Sequence, residues 1–220
     1  MTFLNYIIYI TLCILLQFLV EIESQAAISR PDSRDAHTAT FINDKLYILG
    51  GVIPPFGSKE PSKETFFYLD CTAPFDTNGL KWIDLSNNNI VPPHFFAAAA
   101  KGGASNNTLF IYGGENLGSD PMSPVYTFET TNNKWNVPII TGVPPSGKVD
   151  MISIIDYNGS MYLYGGITSE YNSSTYTNDM FILDTINLSW KRINSTDAPN
   201  PRVGYGTVLI SDRNILYMGM

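Results

Sequence analysis

Short apolar runs closed by glycine punctuate this chain. Leu46-Tyr47-Ile48-Leu49-Gly50-Gly51, Leu109-Phe110-Ile111-Tyr112-Gly113-Gly114 and Met161-Tyr162-Leu163-Tyr164-Gly165-Gly166 follow one design, and Ile215-Leu216-Tyr217-Met218-Gly219 repeats it up to Met220. Runs this short, bounded by turn formers and rich in Ile, Leu, Tyr and Phe, predict buried β-strands rather than helices. Their first glycines recur at intervals of 63, 52 and 54 residues. A second aromatic run follows each double glycine: Phe66 to Asp70, Val125 to Glu129, Met180 to Asp184. Then comes a lone tryptophan, Trp82, Trp135 or Trp190, at intervals of 53 and 55 residues, and a link carrying Pro92-Pro93, Pro144-Pro145, or Pro199 with Pro201. Upstream of the glycines, stretches such as His37 to Ile42 and Met151 to Ile155 supply a first strand. Asn158-Gly159 after one of these predicts a two-residue hairpin turn, since both central residues tolerate positive φ.

Each unit therefore reads as four strands, a to d, with the double glycine ending b and the tryptophan on d. Four strands at a period near 50 residues predict an all-β propeller whose blades bury each other's faces. Three complete four-stranded blades are expected, at 34–91, 92–143 and 144–198, with the first two strands of a fourth at 199–220. The ordered series resembles the kelch and galactose-oxidase propeller superfamily. The first unit carries that pattern as Arg34, His37, Gly50-Gly51, Tyr68, Asp70 and Trp82. The second keeps His94, Gly113-Gly114, Tyr126 and Trp135 with proline where Arg is expected, and the third, which lacks His, keeps Gly165-Gly166, Asp179, Phe181, Asp184 and Trp190. The fourth keeps Arg202 and Gly219. The resemblance implies that these glycines and tryptophans build blades, and that His37 and His94 satisfy polar groups between strands. Propellers close with four to eight blades, so an incomplete ring is expected here, finished by further sequence or by two half-propellers pairing.

From Phe3 to Val20 no residue is charged, and Ser24 and Ala26 suit a signal-peptidase site. A cleaved signal peptide at 1–26 is expected, with an uncleaved signal anchor as the alternative, since the apolar run is long enough to just span a bilayer. Either sends the chain to the cell surface or outside. Membrane contact is then expected only through this segment or an anchor beyond Met220. Removal of Cys13 leaves Cys71, so no internal disulfide is expected. Sequons at Asn106, Asn158, Asn172, Asn187 and Asn194 are candidate glycosylation sites in such a compartment.

Composition narrows the function classes. A net charge of −7, with no basic run, argues against nucleic acid. The copper-radical chemistry of galactose oxidase needs two His, a Tyr and a Tyr–Cys pair; the two His of this chain sit at repeat positions, so that site cannot be assembled and no cofactor or metal is expected. No phosphate loop or nucleophile elbow occurs. A binding scaffold is expected instead, working through the b–c and d–a loops. Val52 to Glu64, Glu115 to Pro124 and Ile167 to Thr177 are the b–c candidates, with Phe56, Asp120, Glu170, Tyr171 and Tyr176 as contact residues. A protein partner is the first expectation and a glycan the second.

Overall fold

The structure, a computed structural model, describes residues 26–28, 30–54, 65–74, 76–116, 122, 125–170, 173–194, 196–211 and 214–219. The expected leader therefore lies outside the described residues except for Ala26. Among the described residues the chain is all-β, with one short 3-10 turn at Ser86–Asn88.

Strands β1 (Ala26–Ile28), β2 (Thr38–Ile42), β3 (Lys45–Leu49), β4 (Phe66–Asp70) and β5 (Trp82–Asp84) form one antiparallel sheet in the order β1-β5-β4-β3-β2. Alternation in Thr38-Ala39-Thr40-Phe41-Ile42 buries every second side chain, as one-sided packing of an inner strand requires. Asn43 and Asp44, with φ of 49° and 58°, make the two-residue turn into β3. The outermost strand β1 pairs Ala26 with Asp84 and was not foreseen from the sequence.

The second unit contains β6 (His94–Phe95), β7 (Ala98–Gly102), β8 (Thr108–Tyr112), β9 (Glu115–Asn116), β10 (Tyr126–Glu129) and β11 (Lys134–Asn136). Here β7-β8-β10-β11 is the blade, and β6 pairs with β9 apart from it. The third holds β12 (Lys148–Val149), β13 (Ser153–Ile155), β14 (Ser160–Tyr164), β15 (Ile167–Glu170), β16 (Ser173–Tyr176), β17 (Met180–Asp184) and β18 (Ser189–Ile193). Its blade is β13-β14-β17-β18, beside a separate sheet β12-β15-β16. A final hairpin joins β19 (Gly206–Ser211) to β20 (Asn214–Met218). Inner strands β2, β7, β13 and β19 neighbour one another in that order.

Alternation along the b strands decides what packs on what. Tyr47 and Leu49 of β3 meet Leu109 and Ile111 of β8 in one core, with Phe66, Phe128 and Trp135. The other face of β8, Phe110 and Tyr112, meets Met161 and Leu163 of β14, with Val125, Leu183 and Trp190. Tyr164 then passes the pattern to Tyr205 and Tyr217. Each blade thus presents one parity to its predecessor and the other to its successor. Trp135 reaches back to Phe66 at 5.1 Å, and Trp190 to Tyr112 at 5.2 Å.

The structure corrects several expectations. The turn at Asn158-Gly159 is wider than two residues: Asp156 N–H donates to Ser160 O, and of the pair only Gly159 has positive φ, at 80°. Asp156 Oδ1 accepts from the N–H groups of Asn158 and Ser160, which stabilises the larger loop. Segments expected as plain b–c loops hold strands β9, β15 and β16, placing Glu170 and Tyr176 in strands. Trp135 Nε1 is buried among aromatic rings, with no hydrogen-bond partner among the described residues. Cys71 is a free thiol, half-buried near Leu69 O at 3.7 Å.

Candidate functional site

The links enter the blades through four equivalent corners: Arg34-Asp35-Ala36-His37, His94-Phe95-Phe96-Ala97, Lys148-Val149-Asp150-Met151 and Arg202-Val203-Gly204-Tyr205. The third residue of each is left-handed, with φ of 57° at Ala36, 57° at Phe96, 59° at Asp150 and 58° at Gly204. In the last three the first residue offers its carbonyl to the preceding unit. Gly51 N–H donates to His94 O at 2.8 Å, Gly114 N–H to Lys148 O at 2.9 Å and Gly166 N–H to Arg202 O at 3.2 Å. Successive corners are also joined directly, Phe96 N–H to Ala36 O at 2.9 Å and Asp150 N–H to Phe96 O at 3.0 Å. These approaches explain the double glycine. A Cβ on Gly50, Gly113 or Gly165 falls 2.6, 2.4 or 2.6 Å from the corner carbonyl, inside any tolerable contact.

This register revises the sequence alignment of the units. His94 holds the place of Arg34 rather than of His37, whose counterparts are Ala97, Met151 and Tyr205. Lys148, passed over in the sequence, is the basic residue of the third corner. Its signal was the spacing to the double glycine: 17 residues to Gly165, as for Arg202 to Gly219, against 16 from Arg34 to Gly50.

Side chains at the corners differ in chemistry. Arg34 Nη1 donates to Gly50 O at 3.2 Å while its guanidinium lies 4.5 Å from the centre of the Phe67 ring. His94 is buried; Nδ1 lies 2.7 Å from Pro92 O and must carry the proton, leaving Nε2 an acceptor with no partner among the described residues. Burial holds its pKa below the usual histidine range, against the opposing pull of Pro92 O. Lys148, 1% exposed, donates to Gly165 O at 3.1 Å and Thr177 Oγ1 at 2.8 Å, and forms an ion pair with Asp179. Burial pulls this lysine below its ordinary range, and Asp179 opposes the fall. His37 is exposed rather than enclosed between strands.

On the same side, the chain after each double glycine turns back to pair with the next-to-enter corner of its own unit: an Asp35–Val52 bridge, then β6 with β9, then β12 with β15 and β16. These small sheets stand apart from the blades and grow from one bridge to three strands. Tyr176, at the end of β16, is 56% exposed. Glu170 lies in β15, while Phe56, Asp120 and Tyr171 lie outside the described residues.

The d–a links supply a feature that the sequence reading missed. Between the first two blades the link buries Leu85 and Val91. Between the second and third, Ile139 is 91% and Val143 76% exposed, although Thr141 pins the segment to β18 through Leu188 O and Trp190 N–H. The run Val137-Pro138-Ile139-Ile140, apolar without alternation and flanked by proline, was the available signal.

Two cavities border the first and third blades. One of about 720 Å³ is bordered by Arg30, His37, Ile48, Phe67, Leu80 and Trp82. The other, about 450 Å³, is bordered by Tyr164, Met180, Arg192 and Pro199. Tyr164 holds the place of Tyr112, and each phenol donates to a link carbonyl, Pro199 O at 2.7 Å or Pro145 O at 2.9 Å. Trp190 meets Tyr112 edge-on, whereas Tyr164 borders the cavity. Of the sequons, Asn106 and Asn158 occupy exposed a–b turns, Asn187 an exposed c–d turn bonded to Asp184, and Asn194 an exposed d–a link; Asn172 lies outside the described residues.

Comparisons with known proteins agree with this construction. The family model described as the KLHDC2/KLHL20/DRC7 Kelch-repeats domain matches residues 36–220. Kelch domain-containing protein 3 of Bos taurus is 29% identical over 92 residues, covering 42% of this chain and 23% of that protein. Rho GTPase-activating protein gacHH of Dictyostelium discoideum is 28% identical over 163 residues, 74% of this chain but 10% of its own length. Acyl-CoA-binding domain-containing protein 6 of Oryza sativa subsp. japonica is 24% identical over 86% of this chain and 28% of that protein. The chain thus spans less than a third of each of these relatives. The solved structure of YjhT superposes with a TM-score of 0.61 at 16% identity, covering 84% of this chain and 56% of that one, and so shares the fold.

Proposed function

We propose, from the premise that this chain belongs to the kelch-repeat family, that it is a non-catalytic scaffold exported through the secretory pathway, binding a protein partner on the side where b–c and d–a segments emerge. Kelch repeats make interaction scaffolds; the choice of face is the proposal. The observation that carries it is the set of small sheets beside the blades, ending in β12-β15-β16. Blade packing does not require them, whereas a raised, backbone-ordered platform suits protein contact. The exposed Ile139 and Val143 add apolar area of the kind found at the centre of interfaces. No blade residue is asked to do chemistry in this reading.

Cross-linking mass spectrometry on the exported protein, captured with its partner from the medium of its host, tests the face. Cross-links at Lys148-proximal loops, 137–143 and 167–176 are expected. Cross-links confined to the turns at 103–107 and 157–159 would reverse the assignment, and specific retention on a glycan array instead would favour a carbohydrate ligand. N-terminal sequencing of the same sample, expected to begin at Ala27, checks export separately; an intact Met1 on membranes would replace the cleaved signal with an anchor.

A further inference from the structure

Turns from the second and third blades are tied together at Thr185. Its hydroxyl accepts from Gly103 N–H at 3.0 Å, on the a–b turn of the second blade, and donates to Gly159 O at 2.7 Å, on the a–b turn of the third. Thr185 itself sits on the c–d turn of the third blade, buried, with its N–H donating to Gly159 O at 3.0 Å. Ile186 lies against Gly159, where an added Cβ would fall 3.0 Å from its Cδ1. Each of these turns carries an Asn-x-Ser/Thr triplet: Asn106-Asn107-Thr108, Asn158-Gly159-Ser160 and Asn187-Leu188-Ser189. All three asparagines are exposed. For Asn106 and Asn187 this holds with the neighbouring blade already in contact with the turn. The first blade shows the same of a turn placed like that of Asn158: Asn43 and Asp44 are exposed although Asn43 Nδ2 reaches Thr130 of the second blade at 3.5 Å. Two of the turns also leave a large apolar side chain in water directly before the asparagine, Tyr157 at 76% and Ile186 at 47% exposure.

We propose that Asn106, Asn158 and Asn187 are N-glycosylated together on export, and that their glycans cover the a–b and c–d turns of the second and third blades. This rests on the export reading above, because the co-reactant, a lipid-linked oligosaccharide pyrophosphate, is met in the secretory pathway. Transfer joins the side-chain amide nitrogen to the anomeric carbon of the first sugar, breaks the bond from that carbon to the pyrophosphate, and releases the lipid pyrophosphate and a proton. The folded chain must then leave each glycan in solvent, which exposed turn positions do. The modified nitrogen keeps one hydrogen, so Asn187 still donates to Asp184 Oδ2, 2.8 Å away. Glycans rooted around one pinned threonine overlie the same surface, and the C–H faces of their sugar rings cover Tyr157 and Ile186, which blade packing leaves wet. Asn194, on a d–a link, stands apart from this cluster. Covering the turns leaves the opposite side, with β12-β15-β16, to the protein partner.

Occupancy in the full chain exported from a eukaryotic host is read by enzymatic glycan release in heavy-oxygen water, which converts each modified asparagine to labelled aspartate, and by peptide mass spectrometry. Label is expected at all three sites. Hydroxyl-radical footprinting before and after release reads the cover. Modification of Tyr157 should rise on release to at least that of Tyr176, since the two side chains are 76% and 56% exposed in the bare chain, while Tyr176 stays unchanged. Any of the three asparagines found unmodified in the exported chain overturns the proposal, as do Tyr157 and Ile186 reacting equally before and after release. The same measurements on a chain whose residues 1–26 are replaced by an established export signal separate this proposal from the export reading. Glycans there, with the native chain retained unmodified in the cytosol, would end the export reading and leave the acceptor cluster established. An exported chain bare at these sites would end the cluster alone.

Discussion

The corners that open the second and third units share a backbone and differ in everything else. His94 and Lys148 each give a carbonyl to the second glycine of the preceding pair, and each is followed two residues later by a left-handed residue. Yet His94 ends in an orphan Nε2, whereas Lys148 is satisfied by Gly165 O, Thr177 and Asp179. The fold therefore draws on the main chain at this position and leaves the side chain free to vary. A longer cation brings its own carboxylate; a shorter imidazole is kept neutral by burial. That is why the repeat survives where the basic residue changes type.

The severest test of this comparison removes the backbone fit. Gly113→Ala puts a Cβ at 2.4 Å from Lys148 O on a residue with φ of 71°, where a carbonyl in a blade cannot yield easily. A loss of about 3–5 kcal/mol is expected in urea unfolding, from left-handed strain and overpacking together. A loss below about 1 kcal/mol would mean the corner carbonyl is not a fixed point.

Next comes the ion pair. Lys148→Met should cost about 3 kcal/mol by stranding Asp179, with Arg192 at 4.0 Å as partial compensation. Adding Asp179→Leu should recover most of it, because two apolar groups replace the pair without an unpaired charge. Failure of that recovery in thermal melts would assign Lys148 a role beyond the pair.

Gly204 sharpens the point from the other side. Its φ of 58° matches that of Ala36, and nothing lies within 4 Å of an added Cβ. Gly204→Ala should therefore cost only about 1 kcal/mol, the strain without the clash.

The smallest change is expected at the histidine. His94→Leu should stay within about 1 kcal/mol of wild type at pH 8, since the lost Pro92 bond is offset by removing an orphan acceptor. The pH profile should differ more. The folded-state pKa of His94 is depressed, so the unfolded chain binds the proton first and stability falls as pH drops below the unfolded histidine value of about 6.5. The variant should lack that part of the acid loss; identical profiles between pH 7 and 5 would place the titration elsewhere.

Much of this was legible beforehand. The strands ending at Gly50, Gly113 and Gly165, the aromatic strands before Asp70 and Asp184, and the tryptophan strands lie where the apolar runs put them. The kelch family and the propeller fold follow from their order. The corner register was not legible, because His37 and His94 look alike in a sequence and only their backbone positions separate them. Nor was the exposed Ile139, since an apolar link reads the same whether it is buried like Val91 or left in water.

What the sequence by itself determined is therefore local and periodic: strand length from the apolar runs, strand ends from paired glycines, and the propeller fold from the recurrence. Such features depend on the dihedral preferences and burial tendencies of a few consecutive residues. The tertiary structure alone decided which glycine meets which carbonyl, that Lys148 finds Asp179 31 residues away, and that β1 pairs beside β5. The first joins neighbouring units and the others join segments far apart within a unit, and neither kind of distance is encoded in any single stretch of chain.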